Sequence, residues 1–304
     1  MLLLQQMIVL FIYMLLGYYG SKKGALDAKA GKILSWIVIN IANPALILNS
    51  AVGGNGKAAG RELVSTAVIA VVMYTVLLIL AWFAPMVFRA SEDEKGIYKL
   101  MTTFNNIGFM GFPVIAAVYG NEALLYAAIF TLPFNGLIYT YGIAMVRGRD
   151  AKGEGFQWKR IWNIGVVSCL IAVALYLSSA PIPQFAATAI TGLSSLTGPL
   201  SMMVIGISLS DIRLKELFLD GKLLAYAAVK LLVIPVAGTL IIRRFVVNEV
   251  LVAVCMIMLA TPVASMAVML AGQYDRNVEL ASKGVALTTI LSVFTIPVVS
   301  WLVL

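Results

Sequence analysis

The sequence predicts an all-α membrane protein with ten transmembrane helices in two inverted five-helix repeats. The first observation is composition, because 61% of the residues are hydrophobic and 12% are charged, against roughly 45–50% and about 25% in soluble domains. The second is length, since 304 residues accommodate about ten spans of roughly 20 residues. The third is an interruption with proline in an apolar run of each half. No room remains for a soluble domain.

Apolar runs define ten predicted spans, numbered 1 to 10 in chain order: 2–20, 33–51, 63–88, 98–119, 122–146, 161–179, 185–210, 222–242, 247–273 and 279–303. Span 1 has no basic residue before it and no small-residue cleavage site after it, so we expect a retained helix. The loop at 53–56 is glycine-rich, and the polar linker 147–160 divides the chain. We therefore predict one five-helix repeat in residues 1–150 and a second in residues 151–304.

The spacing of the prolines supports a duplication. Three pairs lie 155, 150 and 149 residues apart: Pro44 with Pro199, Pro85 with Pro235, and Pro113 with Pro262. A fourth pair, Pro133 and Pro297, is 164 residues apart and does not correspond. Five helices is an odd number, so two repeats of one fold must enter the membrane in opposite orientations. The predicted duplication is inverted.

Lysine and arginine lie mostly on one side of these spans. That side receives seventeen: Lys22, Lys23, Lys29, Lys32, Arg89, Lys95, Lys99, Arg147, Arg149, Lys152, Lys159, Arg160, Arg213, Lys215, Lys222, Arg276 and Lys283. The other side receives four: Lys57, Arg61, Arg243 and Arg244. Because the basic side is cytoplasmic, we expect a bacterial-type cytoplasmic membrane protein with both termini outside.

Span 4 contains the first interruption. Its polar and flexible residues are Asn105, Asn106, Gly108, Gly111 and Pro113. Proline removes a backbone donor, and glycine tolerates backbone angles that other residues avoid, so we predict a break in the helix. Backbone groups freed in hydrocarbon cost several kcal/mol each, and such a break survives only when packed in protein or lining a cavity. The break is therefore a candidate site.

Span 9 contains the matching interruption, with Thr261, Pro262 and Ser265 near its middle. If the two broken helices cross, the N-terminal ends of both second half-helices present free N–H groups and partial positive charge to the crossing. That arrangement suits an anion. Asn43 and Asn135, in spans 2 and 5, are further candidate binding residues. The alternative is two ordinary helix kinks with asparagines joining neighbouring helices, but the matched pair favours a site.

Lys230 lies near the middle of span 8. A charge at that depth costs about 2.5–3.5 kcal/mol on insertion scales and suggests a function. Two functional roles are open: pairing with an anionic substrate, or filling the place of a coupling cation and bracing the broken helices. In the structural alternative, its long side chain reaches the interface or caps carbonyls of a broken helix.

Several classes of function are disfavoured. The chain has no histidine, and its two cysteines, Cys169 and Cys255, lie in apolar runs as core thiols. No Asp or Glu lies deep in a span, so the carboxylate relay of a cation or proton antiporter is missing. We expect no metal, cofactor, enzymatic activity or nucleic-acid partner, because neither acid–base groups nor one basic patch is present. A receptor or channel with the same pocket stays open.

Several motifs resemble the auxin efflux carrier family. They are Asn106-x-Gly108-Phe109-x-Gly111-x-Pro113, Tyr119-Gly120, the Pro44 segment, and Ala260-x-Pro262 followed by Leu270-Ala271-x-x-Tyr274. The family includes the plant PIN-formed auxin exporters and bacterial permeases for malate and malonate. The resemblance implies an elevator-type transporter fold, with broken helices crossing in spans 4 and 9. It implies a scaffold and homodimer contact from spans 1, 2, 6 and 7, and a mobile unit from spans 3–5 and 8–10. Asn106, Pro113 and Pro262 match the crossover, although no asparagine accompanies Pro262.

The sequence and the resemblance together predict a secondary transporter for small organic anions, such as auxin-like monocarboxylates, malate or malonate. An anion that leaves an inside-negative cell gains about 2.3 kcal/mol per charge per 100 mV, so efflux needs no coupling ion. Sodium- or proton-coupled symport of an organic acid is the alternative. The predicted partners are the organic anion, the lipid bilayer and a second copy of the chain.

Overall fold

The computed structural model describes residues 2–52, 60–147, 162–178, 180–210, 212 and 214–304. The predicted glycine-rich loop and most of the central linker lie outside these ranges. Within them the protein is helical throughout, and the single β-bridge joins Asn105 to Val263. The prediction of an all-α membrane protein is confirmed at that level.

Twelve helices position the site. They are α1 Leu2–Lys22, α2 Ala28–Asn49, α3 Gly60–Val87, α4 Glu92–Thr103, α5 Ile107–Gly120, α6 Ala123–Val146, α7 Ile164–Ser178, α8 Gln184–Ser210, α9 Gly221–Ile242, α10 Glu249–Ala260, α11 Met266–Gln273 and α12 Val278–Val303. Helices α4 and α5 occupy predicted span 4, and α10 and α11 occupy predicted span 9. A short helix, Leu214–Leu219, precedes α9.

Seven of the described helices are long and apolar enough to cross a membrane: α1, α2, α3, α6, α8, α9 and α12. Three shorter apolar helices, α5, α7 and α10, lie between them. The count of ten spans and the inverted relationship of the halves stay predictions.

Side-chain caps set several helix starts. Asp220 accepts a hydrogen bond from the Leu223 N–H at 3.0 Å, Asn248 from Leu251 at 3.1 Å, and Asn277 from Leu280 at 2.9 Å. Each cap satisfies one backbone donor that a helix start leaves free. Helix α2 begins five residues before its predicted start at 33, because Asp27 caps it through the Ala30 N–H at 2.7 Å.

Three of the prolines follow a π-helical turn that ends two residues before the proline. The turns are Val38–Ala42 before Pro44, Ile107–Gly111 before Pro113, and Val229–Val233 before Pro235. Proline cannot donate a hydrogen bond, and its ring clashes with the carbonyl four residues earlier. A wider turn accommodates that clash without ending the helix. The break in predicted span 4 therefore lies at residues 104–106, upstream of Pro113.

Helices α1 and α8 pack backbone to backbone. A Cβ atom added to Gly17 would stand 2.2 Å from the carbonyl oxygen of Met203, and one added to Gly206 would stand 2.0 Å from that of Met14. Small residues permit such close approach between membrane helices. The Ser210 hydroxyl also donates to Ser21 at 2.8 Å, so the two helices form one firmly joined pair.

Helix α10 lies at the centre of the protein. Every residue from Leu251 to Ala260 is buried, whereas α3 exposes large apolar side chains such as Val64 and Trp82. An apolar exposed face is expected where a helix borders lipid. The end of α10, where predicted span 9 is interrupted, is thus shielded from lipid by protein.

Candidate functional site

The two helix breaks hydrogen-bond to each other. The Asn106 N–H donates to the Pro262 carbonyl at 2.7 Å, and the Ala264 N–H donates to the Phe104 carbonyl at 3.0 Å. These residues are buried, where a free backbone donor or acceptor would be costly. The backbone groups released by one break therefore satisfy those released by the other. The breaks of predicted spans 4 and 9 therefore meet, at residues 104–106 and 262–264. We call this meeting point the crossing.

The Asn105 side chain is fully engaged by protein. Its Nδ2 donates to the carbonyls of Met258, at 2.5 Å, and Leu259, at 3.3 Å, in the last turn of α10. Its Oδ1 accepts a hydrogen bond from the Nζ of Lys230. Asn105 therefore joins the ends of the crossing helices and presents neither end of its amide to a ligand.

Lys230 is fully buried in the π-helical turn of α9. Besides Asn105, it donates to the carbonyl of Thr102, in the last turn of α4, at 2.8 Å. Within the described ranges, no carboxylate lies within salt-bridge distance of it. Lys230 reaches the end of a broken helix and does not extend to an interface.

Asn106 differs from its neighbour in having an unused donor. Its Oδ1 accepts from the Phe109 N–H at 3.2 Å and so caps α5. Its Nδ2 is buried and has no hydrogen-bond partner among the described residues. Leaving such a donor unsatisfied costs about 1–3 kcal/mol. The side chain is 3% exposed, so bulk water does not offset this cost, and a bound acceptor would.

Helices α2 and α8, which pack near this start of α5, carry further oxygens that have no partner within the described ranges. They are Asn43 Oδ1 on α2, and Thr197 Oγ1 and Ser201 Oγ on α8. The second part of α8 packs against both Ile107–Gly111 and Val38–Ala42. A Cβ atom added to Gly108 would stand 3.4 Å from the Asn43 amide nitrogen. One added to Gly198 would stand 3.8 Å from the Pro113 Cβ. Helices α2, α5 and α8 thus bring unused polar atoms to one region.

Thr197 and Ser201 were not among the predicted site residues. A signal was present for Thr197 alone, because the 155-residue offset between Pro44 and Pro199 places it next to Gly198, the counterpart of Asn43. Asn43 was predicted as a site residue, but the corresponding segment of α8 was not.

The other predicted site residues have different surroundings. A Cβ on Gly111 would stand 3.5 Å from Thr261 Cγ2, so this glycine permits close approach of the two breaks. Thr261 donates to the Met258 carbonyl at 3.1 Å. Ser265 precedes α11 and makes no capping hydrogen bond. Asn135 donates to the Thr131 carbonyl at 2.8 Å and accepts from Asn163 at 2.7 Å, which joins α6 to the start of α7.

The crossing separates the two kinds of helix end. Helices α4 and α10 end there, and their last carbonyls contact Lys230 and Asn105. Helices α5 and α11 begin there, with partial positive charge at their N-termini. Thr288 supports the second break by accepting from the Val263 N–H at 3.1 Å. The negative ends are thus matched by a protein cation, and the positive ends have no comparable protein anion within the described ranges.

Comparison with known proteins identifies the family. A family model described as "Membrane transport protein" matches residues 2–300. An uncharacterized transporter of Methanocaldococcus jannaschii is 26% identical over 302 residues, which are 98% of this chain and 97% of the relative. One from Methanothermobacter thermautotrophicus is 24% identical, over 94% of this chain and 93% of the relative. An uncharacterized transporter of Escherichia coli is 24% identical over 47% of each chain. The chain belongs to the membrane transport protein family of the PIN-type auxin efflux carriers.

Proposed function

We propose that this protein is a secondary transporter of small organic anions, carboxylates such as auxin-like monocarboxylates, malate or malonate. The observation that carries the proposal is the buried Nδ2 of Asn106, which has no partner among the described residues and lies at the N-terminal end of α5. A carboxylate oxygen is the acceptor that such a donor lacks, and the helix end favours its negative charge.

The hydroxyl groups of α8 suit the same ligand. Thr197 Oγ1 and Ser201 Oγ are buried and unpartnered, and each can donate one hydrogen bond. A carboxylate has two oxygens with room for several donors. A ligand held at once by Asn106 and by these hydroxyls would bridge the crossing and α8.

The hydrogen bonds between helices support a division into two units. One group joins α3–α6 and α9–α12: Glu62 with Tyr126, Asp93 with Asn277, Glu94 with Lys222, Thr102 with Lys230, and Arg243 with Val303. A second group joins α8 to α1 and α2: Ser21 with Ser210 and Asn49 with Thr191. Helix α7 packs against α2 and so lies with the second group. Among the described residues, hydrogen bonds of Asn135 with Asn163 and of Ala128 with Cys169 link α6 of the first group to α7.

With this division, the proposed site would lie between the two units. Asn106 belongs to the first group, whereas Asn43, Thr197 and Ser201 belong to helices of the second. We propose that α1, α2, α7 and α8 form a scaffold that pairs with a second copy of the chain. The remaining helices would carry the anion past it in an elevator-like movement. The membrane is proposed to be the cytoplasmic one, with both termini outside.

We further propose efflux driven by the membrane potential, which gives an outgoing anion about 2.3 kcal/mol per charge per 100 mV. Within the described residues, no group of three His, Cys, Asp or Glu side chains is arranged to hold a metal ion. Symport with sodium or protons is the alternative, and flux measured with and without a sodium or proton gradient distinguishes it from efflux driven by the potential alone.

The test is a panel of organic acids in two assays. Thermal unfolding of the purified protein is measured with each acid, because a ligand that binds the folded state stabilises it by about 2.7 kcal/mol at 100 times its dissociation constant. Acids that stabilise are then tested for flux in proteoliposomes with an imposed potential. The proposal predicts stabilisation and potential-dependent flux by at least one carboxylate. Stabilisation without flux would indicate a receptor, and an inert panel would contradict the proposal.

A further inference from the structure

Lys230 occupies a site built from neutral oxygen atoms. Its Nζ donates to the Thr102 carbonyl oxygen at 2.8 Å and to Asn105 Oδ1, and its side chain is fully buried. Neither oxygen belongs to a carboxylate. Backbone carbonyls at half-helix ends and neutral side chains are also the groups that hold monovalent cations in transporters with broken helices. The two oxygen atoms that contact this ammonium are therefore of the kind that binds inorganic cations in such transporters.

The oxygens collect there because two helices end at the crossing. The last carbonyls of a helix have no partner within it. Lys230 satisfies the Thr102 carbonyl of α4 directly, and Asn105 satisfies the Met258 and Leu259 carbonyls of α10. Each C-terminal end carries a partial charge of about −0.5. The ammonium contacts the end of α4 directly and the end of α10 through Asn105. Its single positive charge equals the two partial charges together in magnitude.

Helix α9 is shaped to deliver this charge. The π-helical turn Val229–Val233 buries Lys230, and the hydroxyl groups of Tyr226 and Thr102 lie 3.5 Å apart one turn earlier. The 150-residue offset between Pro85 and Pro235 aligns Lys230 with Leu80 of α3, which is 39% exposed. Only the second half of the chain supplies a cation at this position.

We propose that the Lys230 ammonium is a built-in cation, which fills the oxygen site between the ends of α4 and α10 and makes an inorganic cation unnecessary for transport. The positive ends of α5 and α11 then remain for the substrate anion. That transport needs no inorganic cation rests on the proposed function. The occupation of the oxygen site by Lys230 does not.

The test uses two variants that lack the ammonium, one that leaves a cavity in its place and one that fills this cavity. Lys230→Ala keeps the oxygens of Thr102 and Asn105 and opens room for a cation, whereas Lys230→Met fills the room with an uncharged side chain. Lys283→Ala is the matched control, because Lys283 pairs with Glu279 at 2.5 Å at the exposed start of α12. Unfolding temperatures of the purified proteins are compared in sodium, methylammonium and choline chloride at an ionic strength of about 0.15 M.

The proposal predicts that the wild type and Lys283→Ala unfold at the same temperature in all three salts. Lys230→Ala should unfold at a higher temperature in sodium or methylammonium than in choline, and Lys230→Met at one temperature in all three. Specific stabilisation of the wild type by sodium overturns the proposal, as does a salt-insensitive Lys230→Ala. If Lys230→Ala does not fold, the wild-type comparison still decides.

Transport by the wild type gives a second measurement. Initial rates in sodium, potassium and choline media should agree within about two-fold, since a cation that must bind would change them by mass action. Sodium-dependent flux of an organic acid would overturn the built-in cation and leave the proposed substrate intact. The proposed function would be refuted if no acid bound or was transported. Cation-dependent stability of Lys230→Ala would in that case still support the occupation of the oxygen site by Lys230.

Discussion

The backbone N–H of Asn106 donates a hydrogen bond to the carbonyl oxygen of Pro262 across 2.7 Å. These residues are 156 positions apart in the chain, and each belongs to a break in a buried helix. The contact explains how irregular backbone persists at this depth, since each break satisfies the other. It also places the Asn106 side chain at the start of α5, with its Nδ2 unpartnered.

Asn105→Ala should destabilise the protein strongly. The change removes one of the two acceptors of the Lys230 ammonium, which keeps the Thr102 carbonyl. It also removes the Asn105 donor from the Leu259 carbonyl and from the Met258 carbonyl, which keeps Thr261. Buried polar groups left without partners cost about 1–3 kcal/mol each, and a buried charge costs more. We expect a lower unfolding temperature without any ligand present. An unfolding temperature equal to that of wild type would show that the crossing does not depend on this amide.

Thr197→Val and Ser201→Ala should weaken ligand binding while leaving stability unchanged or higher. Both hydroxyls are buried and have no partner in the described part of the chain, so removing them relieves an unsatisfied group in the free protein. Each lost hydrogen bond to a carboxylate should cost about 1.5–3 kcal/mol, or about 10- to 150-fold in affinity. The control is Thr188→Val on the same helix, whose hydroxyl donates to the Gln184 carbonyl at 2.9 Å.

A calorimetric titration of each variant, with an acid identified by the panel, measures this effect. Thr188→Val should bind as the wild type does. Equal affinity in all the variants would remove α8 from the site.

Stability should fall when the pH drops below about 4.5, because the ion pair between Glu94 and Lys222 at 2.6 Å is then lost. Burial raises the Glu94 pKa, but the hydrogen bonds from Lys222 and Ser91 outweigh burial and hold the pKa below its ordinary value of 4.5. A pKa lowered by folding contributes stability above the ordinary value, and this contribution is lost as the pH falls through the folded value. Asp93 behaves likewise, since hydrogen bonds from Ser91 and Asn277 lower its pKa.

Unfolding temperature against pH, for wild type and Glu94→Gln, measures the contribution of Glu94. The variant should lose part of the decline between about pH 5 and pH 3. Superimposable curves would mean that Glu94 contributes nothing to the pH dependence.

Gly206→Ala and Gly192→Ala, both in α8, should have opposite effects. A Cβ on Gly206 would stand 2.0 Å from the Met14 carbonyl oxygen of α1, whereas one on Gly192 would meet no atom within 4 Å. The first change forces α1 and α8 apart, at about 1–3 kcal/mol. The second replaces glycine by a better helix former, which stabilises by about 0.8–1.0 kcal/mol. Unfolding temperatures of both variants measure the difference, and destabilisation of equal size would contradict the close packing.

Local signals in the sequence predicted much of the helical frame. Asp220, Asn248 and Asn277 cap helices close to the predicted starts, because capping depends on residues within one turn. The break near Asn105 was predicted from its asparagines, glycines and proline. Its position was shifted, because a π-helical turn accommodates Pro113 and the irregular backbone lies upstream.

Contacts between distant residues could not be predicted in the same way. Asn105 and Asn106 are adjacent and chemically identical, yet one is bound by Lys230, 125 residues away, and the other keeps a free donor. Nothing within a few residues of either asparagine distinguishes them. Thr197 and Ser201 are ordinary residues of an apolar helix until α2 and α5 pack against them.

The most direct test of the central claim is the affinity of Asn106→Ala for an organic acid that stabilises the wild type. Asn40→Ala is the control, because the Asn40 amide donates to the Trp36 carbonyl of its own helix at 2.9 Å. A hydrogen bond to a charged group contributes about 1.5–3 kcal/mol. The account therefore predicts that Asn106→Ala binds the acid about 10- to 150-fold more weakly and loses flux in proteoliposomes, while Asn40→Ala matches the wild type. Wild-type affinity and flux in a folded Asn106→Ala protein would contradict it.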